Sequence, residues 1–171
     1  MTKPFKTRML AGDILVGTFL KTPAPELIEV LARSSLDFIC LDAEHAPFDR
    51  GRMDLCLAMG RALGVPMLVR VPTGTPVELL TALDSGAVGV VVPHVDSEEK
   101  AREIARAGRF GHGGRGYAGS TRWAGFATRA MKDVLQQSID ETIVIAQIEE
   151  PEAVDLADRI AGVDGIDGLF V

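Results

Sequence analysis

A parallel α/β fold is the architecture this sequence predicts, and three features predict it. Short apolar, β-branched runs alternate with longer segments of helical period. The runs begin every ~20–30 residues, the spacing of strand–helix units joined by right-handed crossovers. Proline lies near the start of three helical segments (Pro25, Pro76, Pro151), and glycine follows three others (Gly64, Gly86, Gly108). A missing N–H costs little at a helix start, and glycine ends a helix cheaply. A doubly wound open sheet and a TIM barrel both produce this pattern.

In chain order, "ILVGTF" (14–19) reads as the first strand, followed by a helix over 24–34. "DFICLD" (37–42), "PMLVRV" (66–71) and "VGVVVP" (88–93) read as the next three, separated by helices over 50–63 and 75–84. Continuous apolar runs of this length suit strands covered on both faces. A helix over 97–108 leads into "GRFGHGGRGYAGSTRWAGF" (108–126), which carries Arg109, Arg115 and Arg122 and the aromatic anchors Tyr117, Trp123 and Phe126. Long glycine-rich loops often cover sites, so this one is expected to be a mobile loop over a site, and His112 within it is read as bland. A helix over 125–140, the strand "TIVIAQIE" (142–149), a helix over 151–161 and the strand "DGLFV" (167–171) complete the pattern.

Composition excludes several classes of function. With 47% apolar and 25% charged residues, the 171-residue chain reads as an ordinary soluble domain. A formal charge of −6 and the lack of any Lys/Arg block argue against nucleic acid and anionic membrane as partners. Cys40 and Cys56 sit in apolar settings and are expected to be small buried hydrophobes rather than a disulfide. Gly12, Asp13 and Gly17 interrupt the apolar N-terminal stretch, so no secretory signal is read, and a cytoplasmic location is expected. The first turn lacks G-x-G-x-x-G and no G-x-x-x-x-G-K-[ST] occurs, which removes the main support for dinucleotide and P-loop readings.

Several apolar runs end in a polar group: Asp42 after "FICL", Arg70 after "MLV", His94 after "VVVP", and Gln147 with Glu149 in "IAQIEE". In a parallel α/β fold these ends share one face, the face that carries ligand sites. Asp42 also reads as a turn cap, and Glu149 as a lead-in to the helix at Glu150–Pro151. Arg70, flanked by apolar neighbours, must be paired or face a polar cavity, because an unpaired buried charge costs several kcal/mol. Glu44 reads as a solvated charge or a supporting partner, and His94 stands equally between structure and function. Carboxylates with few soft donors suit a hard divalent ion, and a cation beside an arginine suits a developing oxyanion.

The segments "LDAEHAPFD", "LVRVP", "GRGYAGSTRW" and "QIEEPEAV…IAGVDGIDGLFV" resemble the HpcH/HpaI family of metal-dependent (class II) pyruvate aldolases, which includes the 4-hydroxy-2-oxo-heptanedioate aldolases of aromatic compound catabolism. The likeness runs from about Gly12 to Val171, with the motifs in order. It implies a TIM (β/α)8 barrel of which residues 1–171 form a single domain covering about the first six βα units, truncated at its C-terminus. It also implies a homo-oligomer, a hexamer, acting on a small-molecule 2-oxo acid and an aldehyde.

The resemblance further implies an aldehyde-lyase: reversible cleavage of 4-hydroxy-2-oxo acids to pyruvate and an aldehyde through a metal-bound pyruvate enolate. Glu149 matches the metal-binding glutamate, the second ligand being an aspartate expected beyond Val171. The ion would be Mg²⁺ or Mn²⁺, with Co²⁺ or Zn²⁺ as alternatives. Arg70 matches the residue that binds substrate and stabilises the enolate oxygen, and His45 the general base or water-positioning group. Asp42 matches the acid that orients that histidine, and Gln147 a glutamine near the substrate. Alternatives are a citrate-lyase β-subunit-like enzyme acting on an acyl-CoA or dicarboxylate, and a non-catalytic barrel subunit. A Schiff-base route through Lys21 is a further option on paper.

Overall fold

The computed structural model describes residues 3–171, so Met1 and Thr2, part of the N-terminal stretch read above, lie outside it. Six strands form one sheet: β1 (Gly17–Leu20), β2 (Phe38–Asp42), β3 (Met67–Arg70), β4 (Gly89–Val92), β5 (Ile143–Gln147) and β6 (Gly168–Phe170). Every neighbouring pair is parallel and the strand order is the sequence order. A doubly wound sheet reverses its order at a switch point, and this one does not. The sheet is also curled. Phe19 on β1 and Phe170 on β6 stand with ring centroids 5.6 Å apart, whereas five strand spacings in a flat sheet would separate them by about 24 Å. The result is a partial barrel.

Helices cover the outer face: α2 (Pro25–Leu31), α3 (Arg50–Leu63), α4 (Pro76–Asp84), α5 (Glu98–Ala107), α6 (Met131–Glu141), α7 (Pro151–Val154) and α8 (Ala157–Ala161). Local chemistry sets their ends. Asp49 accepts from the Arg52 N–H at 2.7 Å, Thr75 and Glu78 form a capping box, and Gly64 closes α3 in the left-handed conformation. Alternation along each strand sorts side chains into two layers. Ile39, Leu41, Val69, Val90, Val92 and Val144 pack outward beneath the helices. Cys40, Leu68 and Val91 point into the barrel with Phe19, Phe38 and Ile145. Both cysteines are free and buried, as expected.

Four boundaries differ from the sequence reading. The first strand begins at Gly17, not at 14, where its ladder with β2 opens on the Gly17–Phe38 pair; Ile14 is left exposed. The helix read over 24–34 ends at Leu31, whose carbonyl accepts the Ser34 hydroxyl. The helix read over 125–140 starts at Met131, since Gly125, Phe126 and Ala127 all adopt positive φ. The helix read over 151–161 is broken at Leu156. One element was unforeseen: α1 (Phe5–Leu10), whose Phe5 packs on Phe38 at the end of the barrel where the strands begin.

The glycine-rich segment lies at that same end, away from the C-terminal strand ends, so it does not cover them. The Trp123 N–H donates to the Asp84 carbonyl at the end of α4. Arg109 pairs with Asp167, just before β6, at 2.6 Å. Trp123 is buried with Ala124 and Val134, against Phe110 and Tyr117. Topology explains the placement: a connection from a helix to the next strand returns to the strands' N-terminal side.

Candidate active site

Register places three ionisable side chains in one row above the barrel interior. Asp42 pairs with Arg70 across β2 and β3. Phe19 pairs with Cys40, so Lys21, two residues beyond Phe19, comes level with Asp42. The contacts follow that row. Arg70 Nε donates to Asp42 Oδ1 at 3.0 Å and Arg70 Nη2 to Oδ2 at 2.7 Å, a two-pronged pair. Lys21 Nζ lies 3.3 Å from Asp42 Oδ2. The Arg70 guanidinium also rests over the Phe19 ring, 4.7 Å from its centroid.

Asp42 is fully buried. Burial alone would raise its pKa, but the Arg70 guanidinium, the His45 N–H and the Lys21 ammonium outweigh it and hold the carboxyl at about 2. The hydrogen bond from Arg70 to Asp42 in turn raises the arginine's own pKa. Removing either member of such a pair costs about 3–5 kcal/mol, because the other is left buried and uncompensated.

The second half of the rim comes from β4 and β5. His94, just past β4, adopts φ 54°, a left-handed conformation uncommon for a side-chain-bearing residue. That turn aims its N–H at Glu149 Oε1, 2.8 Å away. Its ring Nδ1 lies 2.6 Å from Glu150 Oε1 and 3.0 Å from Glu149 Oε1. The bond to Glu150 raises the imidazole pKa, reinforced by the charges of Glu149, Glu150 and Glu44. The Lys100 ammonium anchors the turn by donating to the His94 carbonyl at 2.6 Å. Gln147, buried at the end of β5, donates to Glu149 Oε2 at 2.7 Å. Glu44 links the halves, with Oε2 3.3 Å from Arg70 Nε and Oε1 3.7 Å from His94 Nε2.

The predicted residues therefore converge on one rim, with changes of partner. Asp42 meets His45 through the main chain, accepting its N–H at 3.1 Å, while its carboxylate grips Arg70. The His45 ring is well exposed, and its carboxylate neighbour is Glu44, 3.6 Å away. Glu44 is itself nearly buried rather than solvated. Gln147 supports Glu149. His94 and Glu150 join the site through contacts the sequence reading did not assign. A cleft of about 690 Å³ between the starts of α4 and α5, lined in part by Thr73, Asp96 and Lys100, lies outside the sheet and does not include these rim residues. The candidate site is the open rim itself.

The donor set fits a divalent cation. His94, Glu149 and Glu150 each offer a ligand atom, and those atoms lie within 4.8 Å of one another. Glu150 Oε2 and Glu44 Oε2 are buried without a hydrogen-bond donor. Four carboxylates (Asp42, Glu44, Glu149, Glu150) outnumber the two cationic side chains in contact with them (Arg70, Lys21), an excess of negative charge that a bound cation would offset. Oxygen donors with one imidazole suit a divalent cation.

Comparison with known proteins agrees with this fold. The chain is 32% identical over 170 residues to a hydroxypyruvate/pyruvate aldolase of Roseovarius nubinhibens, covering 99% of this chain and 66% of that one. It is 33% identical over 171 residues to a 4-hydroxy-2-oxovalerate aldolase of Novosphingobium aromaticivorans, covering 98% and 63%. The crystal structure of an HpcH/HpaI aldolase from Desulfitobacterium hafniense superposes with a TM-score of 0.89 at 31% identity, covering 98% of this chain and 65% of that one. The chain thus spans about two thirds of the length of these relatives. The family model for HpcH/HpaI aldolase/citrate lyase matches residues 15–171, and the chain belongs to that family.

Proposed function

We propose that the protein reversibly cleaves 4-hydroxy-2-oxo acids to pyruvate and an aldehyde. The observation that carries this reading is the pairing of Arg70 with Asp42 on the rim that also holds Glu149, His94 and Glu150. Glu149, supported by Gln147, would hold a divalent cation with His94 and Glu150 beside it, and that ion would supply polarisation of the 2-oxo group. Arg70 keeps N–H groups free of Asp42 and directs them at the 2-oxo oxygen as it takes up enolate charge. Asp42 fixes the guanidinium so that no reorganisation is needed when that charge develops.

His45 stands exposed at the rim and takes the proton of the C4 hydroxyl, directly or through a water. The C3–C4 bond then breaks, its electron pair forming the enolate, and the aldehyde leaves. Protonation at C3 gives pyruvate. In this reading residues 1–171 form part of one barrel domain, working in the cytoplasm as a homo-oligomer, a hexamer as in the family resemblance. Pyruvate release from 4-hydroxy-2-oxo acids by the full-length protein tests the proposal. Activity should vanish with EDTA and return with Mg²⁺ or Mn²⁺. Activity indifferent to chelation, or confined to acyl-CoA thioesters, would overturn it.

A further inference from the structure

We propose that Lys100 is a positioning residue for the cation site: it holds the left-handed turn at His94 and, through that turn, the Glu149 carboxylate. This rests on the metal reading of the rim above. Lys100 stands where local helix rules argue against it. Ser97 caps α5, its hydroxyl accepting the Lys100 N–H at 3.3 Å, so Lys100 is the third helical residue. At the same position of α4, Glu78 closes a capping box with Thr75. A lysine cannot close such a box, and its charge in the first turn opposes the helix dipole. A residue that breaks two local rules is expected to act outside its own helix.

The Lys100 ammonium reaches back to the end of β4 and donates to the His94 carbonyl at 2.6 Å. Among the described residues that carbonyl is its sole hydrogen-bond acceptor, although Asp96, Glu99 and Glu103 lie close in sequence. The peptide joining His94 to Val95 is therefore held at both ends. Lys100 donates to its carbonyl, and its N–H donates to the Gln147 carbonyl on β5 at 3.1 Å. A flip of that peptide would lose both bonds.

What the turn delivers is a grip on Glu149. At φ 54°, His94 aims its own N–H at Glu149 Oε1, 2.8 Å away, while the Gln147 side chain donates to Oε2 at 2.7 Å. The carboxylate is thus held on both oxygens, and each oxygen keeps acceptor capacity for a cation. A left-handed residue with a side chain persists only where its surroundings over-determine it, and no glycine eases the turn here. Without the Lys100 bond the turn relaxes, the His94 N–H leaves Oε1, and Glu149 is held by Gln147 alone. Partners that orient a metal ligand in this way are typically worth about 10–100-fold in metal affinity.

The test is Mn²⁺ binding by the full-length protein, read from the free-ion signal in electron paramagnetic resonance. Urea unfolding of each variant gives the folded fraction to which binding is normalised. Lys100→Met should raise Kd by about tenfold, while Lys100→Arg, which keeps a cationic donor, should stay near the wild type. In a His94→Gly background the left-handed turn forms without strain, so there Lys100→Met should raise Kd by less than about threefold. A Kd that Lys100→Met leaves unchanged, or a rise that persists in full beside His94→Gly, overturns the assignment of Lys100 and leaves the metal reading intact. A wild type that binds Mn²⁺ no more tightly than Glu149→Gln overturns the metal reading, and this proposal with it.

Discussion

Two buried arginines lie at opposite ends of the same barrel and are treated in opposite ways. Arg70, at the C-terminal strand ends, is gripped on two nitrogens by Asp42, and its pKa is raised. Arg115, in the glycine-rich segment, makes no side-chain hydrogen bond among the described residues. Its nearest carboxylate oxygen, on Asp84, is 3.9 Å away, and its guanidinium stacks 3.8 Å from the Phe110 ring centroid. Burial pushes its pKa down to about 10. Arg70 is a cation held in fixed geometry with donors to spare, which is what charge stabilisation needs. Arg115 is a planar side chain packed between aromatics, where its shape and π contacts matter more than its charge. Both look alike in the sequence, as arginines among apolar or small neighbours. Only the partner separates them.

That contrast can be broken or sharpened by substitution. Arg70→Met should lower pyruvate-forming activity by about 10²–10³, and should also cost about 3–5 kcal/mol of stability by leaving Asp42 unpaired. Steady-state kinetics with denaturant unfolding of the same variant checks both. Trp123→Ala, at the other end, should cost about 3–5 kcal/mol in the unfolding free energy while kcat per folded molecule stays at the wild-type value. Equal activity loss in the two variants would erase the division between the ends.

A smaller effect is expected from acid. The Asp42 carboxyl titrates at about 2 in the fold, below the ~3.9 of an unfolded chain. A depressed carboxyl contributes stability fully above the unfolded value and loses it as pH falls through the folded value. The contribution, about 2 kcal/mol, should decline between about pH 4 and pH 2. Urea titrations of wild type and Asp42→Asn across that window should show the wild type losing more stability than the variant. The smallest effect is reserved for Arg115→Met, which should change stability by less than about 1 kcal/mol, because removing an unpaired buried charge offsets lost packing. A loss as large as that of Arg70→Met would mean Arg115 carries a partner of comparable strength.

The strands and most helices were legible because apolar runs, prolines and glycines mark them locally. The rim was legible in part for the same reason: an apolar run ending in Asp42, Arg70 or Gln147 stands out. His94 stood out in the same way, but its contact with Glu150 did not, because the left-handed turn at His94 is made without a glycine and brings together residues 56 apart. The carboxylate of Asp42 was read as the partner of His45, yet the row of register shared with Arg70 decides its contact. The misplaced glycine-rich segment had a signal that composition obscured. Its position after one helix and before the helix leading into β5 assigns it to the strand-start end, whatever its glycines suggest.

The central claim is that Arg70 and Glu149 stabilise the enolate of pyruvate, and it can be tested without knowing the aldehyde. Proton NMR of pyruvate in D₂O, with the full-length protein and Mg²⁺ or Mn²⁺, follows deuterium entering the methyl group. The account predicts rapid exchange by the wild type, loss of exchange with EDTA, and a fall of about 10²–10³ in Arg70→Met. Exchange that survives both chelation and the loss of Arg70 would contradict it.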